Sequence, residues 1–147
     1  MISKKYIGHK FPPVTLNVEE GRLKFFSKTI GENRKIYTDP VFAKKEGYPG
    51  LLAPPTFPFI LEIDSMDLLD LVNFFGQSLK KLLHGEENFI YHHPIFAGDK
   101  ITVFKKISDI IDKKDGALQF IIFDNKFKNQ NKILVAETQT NYIFRQG

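Results

Sequence analysis

Apolar and polar positions change rhythm near the middle of this chain. In the first half the apolar residues are spaced for helices, and in the second they alternate or run together as in strands. Val14-Thr15-Leu16-Asn17-Val18 alternates after the Pro12-Pro13 pair and predicts a short first strand. From Glu19 to Thr29 the apolar residues Leu23, Phe26 and Ile30 recur at helical spacing, with Gly31 as the natural stop. A second short helix is expected from Pro40 to Glu46, since Asp39 offers an N-cap oxygen and Gly47 ends the run. Tyr48-Pro49-Gly50-Leu51-Leu52-Ala53-Pro54-Pro55 is too rich in proline for regular structure. Thr56 then offers another N-cap oxygen, and Phe57, Ile60 and Leu61 follow on one helical face. Pro58 falls in the first turn, where a missing N–H costs little. Asp67 predicts a further turn or two through Leu71, Val72 and Phe75, ending at Gly76.

The second half reads as strands: Asn88-Phe89-Ile90-Tyr91-His92, then Lys100 to Asp109, Ala117 to Phe127 and Ile133 to Phe144. Turn residues divide them at Ala97-Gly98-Asp99, Lys113-Lys114-Asp115-Gly116 and Asn129-Gln130-Asn131. Phe120-Ile121-Ile122-Phe123 is apolar on both faces, as a central strand requires. One strand, a helical insert and several antiparallel strands together predict an α+β domain with its sheet wrapped around one buried helix.

Composition narrows the chemistry. At 147 residues the chain fits one domain, and without a cysteine it has no disulfide, thiolate metal site or cysteine nucleophile. The 21 Lys+Arg against 17 Asp+Glu leave a net charge of +4. The basic residues are scattered in pairs such as Lys44-Lys45, Lys80-Lys81 and Lys105-Lys106, which reads as a solvated face and not as a nucleic-acid site. A mild positive field does suit a phosphate-bearing ligand. His92 and His93 point to opposite faces if they lie on a strand, and no third ligand is near them in sequence, so no metal is assigned. The first residues carry no secretory pattern, and no apolar run reaches the ~18 residues of a membrane span. The expected location is cytoplasmic.

Several strings together resemble a known family. Gly47-Tyr48-Pro49-Gly50-Leu51-Leu52-Ala53-Pro54-Pro55-Thr56-Phe57 resembles the loop that enters the central helix of MaoC-like dehydratases of the N-terminal type, relatives of the dehydratase part of fungal-type fatty acid synthase. Leu83-His84-Gly85-Glu86, then Phe89, Tyr91-His92 with Pro94, and Ala97-Gly98-Asp99 resemble the strings that follow, in order and at the right spacing. The resemblance covers about Val14 to Arg145 and implies a single hot-dog domain over 1–147, with its sheet curled around a central helix at Thr56 to about Asp64. It implies reversible hydration of a 2-enoyl thioester, which needs acid/base groups and donors aimed at the thioester oxygen. It also implies a dimer and no cofactor.

The acid/base motif of active members reads Gly-Asp-any-Asn-Pro-aliphatic-His. Here it falls on Gly31-Glu32-Asn33-Arg34-Lys35-Ile36-Tyr37, with Glu32 in the Asp position and Tyr37 in the His position. A free histidine titrates near about 6.5 and a free tyrosine near about 10, so Tyr37 is a poor proton relay at neutral pH. The dyad is therefore read as lost or weakened. The resemblance makes Glu32, Tyr37 and His84 the catalytic candidates and Asn33, Pro55, Thr56, Phe57 and Gly85 the substrate-binding ones. Amides at the start of the central helix could face a thioester carbonyl, backed by the helix dipole. Taken alone, these residues are a turn, a helix start, a lone structural histidine and a surface loop.

Three functions follow. The chain could bind the acyl thioester, on CoA or acyl carrier protein, within a dehydratase system, as a homodimer or beside a catalytic MaoC-like chain. It could be a self-sufficient (R)-specific enoyl-CoA hydratase using Glu32, Tyr37 or His84. It could bind acyl-CoA without turnover.

Overall fold

The computed structural model describes residues 1–146. A short 3-10 turn at Lys4–Tyr6 precedes β1 (Val14–Asn17), and five helices follow: α1 (Glu20–Thr29), α2 (Lys35–Thr38), α3 (Pro40–Lys45), α4 (Phe57–Ser65) and α5 (Leu68–Phe74). A second 3-10 turn at Leu79–Lys81 leads into β2 (Leu82–Tyr91), β3 (Lys100–Lys113), β4 (Leu118–Lys128) and β5 (Leu134–Arg145). The strands form one antiparallel sheet in the order β1-β3-β4-β5-β2. The expected α+β architecture is therefore present, and β2 stands at one end of the sheet.

Local chemistry explains most boundaries. Asp39 caps α3 by accepting from the Val41 and Phe42 amides, and Asp67 caps α5 by accepting from Leu69. Gly31, one residue past the C-cap of α1, has φ of 73°, a conformation that favours glycine. Thr56 does not cap α4 as the sequence suggests, because its side chain accepts no hydrogen bond there. The helix start is held instead by the Phe57 N–H, 2.9 Å from the Pro54 carbonyl oxygen. β2 begins six residues before the predicted Asn88, since polar His84, Glu86 and Glu87 disguise its first half.

Helix α4 packs across the inner face of the sheet. Phe57 and Leu61 bury against Leu23, Leu51, Ile101, Val103, Phe127 and Val135 in one apolar cluster. Beyond it a second cluster gathers Ile2, Leu71, Val72, Phe75, Ile107, Phe123 and Phe144. A belt of polar inward-facing residues runs across the strands between the two. Lys105 separates Val103 from Ile107 on β3, Asn125 separates Phe127 from Phe123 on β4, and Thr138 and Thr140 separate Ala136 from Tyr142 on β5. Register makes this belt continuous, with Lys105 opposite Asn125, Asn125 opposite Thr138, and Thr140 opposite Glu87. Among the described residues no helix is long and apolar enough to cross a membrane.

Candidate functional site

The motif segment starts where α1 ends. The Glu32 N–H closes the turn on the Ser27 carbonyl oxygen at 2.8 Å. Arg34 then folds back on Glu32: its backbone N–H donates to Oε1 at 2.9 Å, its Nε lies 3.0 and 3.1 Å from the two carboxylate oxygens, and its Nη2 lies 2.5 Å from Oε2. These charge-assisted bonds from Arg34 hold the Glu32 carboxyl down at about 2. Tyr37 sits on α2, a helical turn the sequence reads as loop, and is only 6% exposed. The Arg34 guanidinium covers its ring at 4.9 Å from the centroid, and Ser27 Oγ donates to its carbonyl oxygen at 3.4 Å. Glu32 is thus engaged by a neighbouring cation and Tyr37 is buried. Asn33 is exposed beside them.

The loop into α4 ties this segment to the central helix. The Leu52 N–H donates to the Ile36 carbonyl oxygen at 3.1 Å, and the Ala53 N–H donates to Ile95 at 2.8 Å. The Phe26 and Phe57 rings meet edge to face at 5.6 Å. Pro55 and Thr56 are exposed and Phe57 is buried. With the Phe57 amide used by Pro54 and no N–H on Pro58, Thr56 supplies the amide available at this helix start.

On the other flank of α4 stands β2. Its register against β5 shifts between His84 and Glu86, so Gly85 is an extra residue in a bulge. A side-chain carbon at 85 would stand 2.7 Å from Ile143 Cδ1 and 3.1 Å from the Asn141 carbonyl oxygen, so only glycine fits without a shift. His84 lies against α4, its ring 4.8 Å from that of Phe59 and 5.6 Å from that of Tyr142. His84 Nε2 is 3.1 Å from Glu87 Oε2.

Glu87 leads inward to the polar belt. Thr140 Oγ1 is 3.2 Å from Glu87 Oε1 and 2.6 Å from Glu62 Oε2. Glu62, on α4, is fully buried and also receives Thr138 Oγ1 at 3.1 Å, Asn125 Nδ2 at 2.9 Å and Lys105 Nζ at 3.3 Å. Burial first, and then the negative charge of Glu62, push the Glu87 carboxyl up to about 8. Burial and the two carboxylates also raise the Tyr142 phenol.

The structure therefore sorts the predicted residues into two groups flanking one helix start. Glu32, Asn33 and Tyr37 lie on the α1–α2 side, reached through Phe26 and Phe57. His84 and Gly85 lie on the β2 side, reached through Phe59. Among the described residues no hydrogen bond, ion pair or ring contact joins one group to the other. Glu62, Glu87, Asn125, Thr138 and Thr140 were not singled out by sequence reasoning, and Lys105, read with Lys106 as part of a solvated face, is instead buried on the inner side of β3 against Glu62. The clue to Glu62 was its place in the run Phe57-Pro58-Phe59-Ile60-Leu61-Glu62-Ile63, an acid on the buried face of an otherwise apolar helix.

A curled antiparallel sheet around α4 is the hot-dog fold, and solved structures share it. A chain of the C-terminally truncated HadBC (3R-hydroxyacyl-ACP dehydratase) complex from Mycobacterium tuberculosis matches with a TM-score of 0.77 at 22% identity, over 94% of this chain and 96% of that one. The R-hydratase PhaJ1 from Pseudomonas aeruginosa matches with a TM-score of 0.69 at 13% identity, over 96% of this chain and 83% of that one. The class defined by this likeness is that of hot-dog-fold proteins.

The chain belongs to the MaoC-like hot-dog dehydratase family: the family model for the "FAS1-like, dehydratase domain region" matches residues 5–138. It is also 33% identical over 111 residues to a UPF0336 protein of Saccharopolyspora erythraea, a match covering 74% of this chain and 70% of that protein.

Proposed function

We propose that residues 1–147 form one acyl-thioester-binding domain of a 3-hydroxyacyl-thioester dehydratase or 2-enoyl-thioester hydratase system, with the family's acid/base pair replaced and little turnover alone. The observation that carries this reading is the Arg34 clamp on Glu32. A carboxylate held at about 2 by a guanidinium is already ionised and hydrogen-bonded at neutral pH, so it is a weak base and no acid. Tyr37, in the histidine position, lies buried beneath the same guanidinium.

Binding is a different matter, because it needs shape and donors more than a titrating pair. The Thr56 amide at the start of α4 is the donor assigned to a thioester carbonyl, and Pro55, Phe57, Asn33 and Gly85 are the residues assigned to the ligand from the two flanks. The ligand is an acyl-CoA or an acyl-carrier-protein thioester, and the net charge of +4 favours either phosphate-bearing carrier. The free edge of β2 suits pairing with a second sheet, in a homodimer or beside a MaoC-like chain that keeps Asp and His. HadBC, whose fold this chain shares, is a complex.

The reading is tested by titrating the purified chain with butyryl-CoA, a saturated thioester that cannot be hydrated, by isothermal calorimetry. Saturable binding that Thr56→Pro weakens supports it, since that change removes the proposed donor. Absence of binding, to the chain alone and to its mixture with a catalytic MaoC-like chain, overturns it.

A further inference from the structure

In a regular strand, residues three apart point to opposite faces. His84 and Glu87 share a face only because the Gly85 bulge inserts one residue between them. Their partners across the ladder, Tyr142 and Thr140, are both buried on the inner side of the sheet. The bulge thus aims His84 at Phe59 and Glu87 at the Thr140–Glu62 contact, one helical turn apart along α4. Phe59, against which the His84 ring packs, is three residues from Thr56, an axial rise of only ~4.5 Å along α4.

Thr140 has one hydroxyl hydrogen, and it goes to Glu62 Oε2 at 2.6 Å, the shorter contact. Thr140 Oγ1 also lies 3.2 Å from Glu87 Oε1, a longer second contact for the same donor. His84 Nε2 lies 3.1 Å from Glu87 Oε2, and with Glu87 accepting from Nε2–H, Nδ1 is the bare nitrogen of the ring. The groups facing Glu87 are Glu62 from α4, backed by Lys105 from β3, then Thr138, Thr140 and Tyr142 from β5, and His84 from β2 itself.

We propose that His84 is this chain's own acid/base group, sited on β2 instead of in the motif, with Glu87 as its positioning residue. It acts on the 2-enoyl or 3-hydroxyacyl thioester held at Thr56, and so rests on the binding reading above. In hydration the oxygen of water bonds C3 while His84 Nδ1 takes one proton of that water. The electron pair of the C2=C3 bond moves toward the thioester carbonyl, and His84 returns the proton to C2. Dehydration is the reverse. Nothing is oxidised or reduced, and Nε2 keeps its hydrogen on Glu87 throughout. The side chain of His84 is 37% exposed, which leaves the ring reachable, and Phe59 and Tyr142 hold its plane.

The test uses the purified full chain with crotonyl-CoA, beside butyryl-CoA calorimetry. The wild type should hydrate crotonyl-CoA slowly but measurably. His84→Gln should lower that rate at least about 100-fold, the scale of one acid/base contact, with butyryl-CoA affinity within a few-fold. Glu87→Gln should lower it about 10-fold, as loss of a group that fixes an imidazole usually does, and should displace the alkaline limb of the pH profile. His92→Gln, which breaks a surface pair with Glu137, should leave the rate unchanged. Nitrogen-15 NMR of wild-type histidines provides a reading independent of folding in any variant, and should show His84 protonated on Nε2. Hydration that survives His84→Gln, a proton on His84 Nδ1, or bound butyryl-CoA with no detectable hydration by the wild type overturns the proposal and leaves the binding reading standing. No butyryl-CoA binding overturns both.

Discussion

Glu62 on α4 and Lys105 on β3 meet 3.3 Å apart inside the contact between helix and sheet, where the two side chains are 0% and 5% exposed. A buried pair of this kind is no strong source of stability, because desolvation offsets most of the attraction. It does make each partner depend on the other.

Removing the acid alone should therefore cost much more than removing both groups. Glu62→Leu leaves an ammonium without its counter-charge, and urea unfolding should show a loss of about 3–5 kcal/mol. Adding Lys105→Met should recover a substantial part of that loss. If Glu62→Leu is near neutral, or the two changes simply add, the belt is not a coupled network.

Glu87 makes stability depend on pH in a defined direction. Its folded value of about 8 lies above the ordinary 4.5, so the folded state binds more protons between those limits. The contribution is fully present below about 4.5 and is lost as pH rises through about 8. Chemical unfolding at stepped pH should show wild-type stability falling across that window, with a flatter curve for Glu87→Gln. A wild-type curve that rises over the same window would contradict the assignment.

The edge of β2 carries a third expectation. Ile90 and Tyr91 near its end are 58% and 53% exposed, and among the described residues β5 is its only partner in the sheet. A long open edge with apolar residues invites pairing, and charge on such an edge discourages it. Light scattering at micromolar concentration should give a dimer for the wild type, and more monomer for Ile90→Lys with Tyr91→Lys. A wild-type monomer with its edge uncovered would count against the paired assembly.

Much of the fold was legible because periodicity reports burial. Phe120 to Phe123 announced a central strand, and Asp39 and Asp67 announced two helix starts through the same capping chemistry the structure uses. What was hidden has a common cause. Lys105, Asn125, Thr138, Thr140 and Glu87 are polar at inward-facing positions, and polarity read one residue at a time signals solvent. Only register across four strands reveals that they face one another and Glu62. The Gly85 bulge was equally hidden, since its need for a missing side chain comes from Ile143 and Asn141, far along the chain. At the candidate site the sequence named Glu32, Tyr37 and His84 one by one. It could not foresee that Arg34 would occupy Glu32, or that Glu87 would hold His84.

The central claim, a bound thioester beside a replaced dyad, is tested most directly by comparing hydration of crotonyl-CoA. Purified alone, this chain should act at least about 100-fold more slowly than a MaoC-like chain with Asp and His, since one acid/base contact is worth roughly 10²–10⁴. The double change Glu32→Asp with Tyr37→His should raise the rate while leaving butyryl-CoA affinity within a few-fold. Brisk turnover by the unmodified chain, abolished by Tyr37→Phe, would contradict the account and make Tyr37 the catalyst.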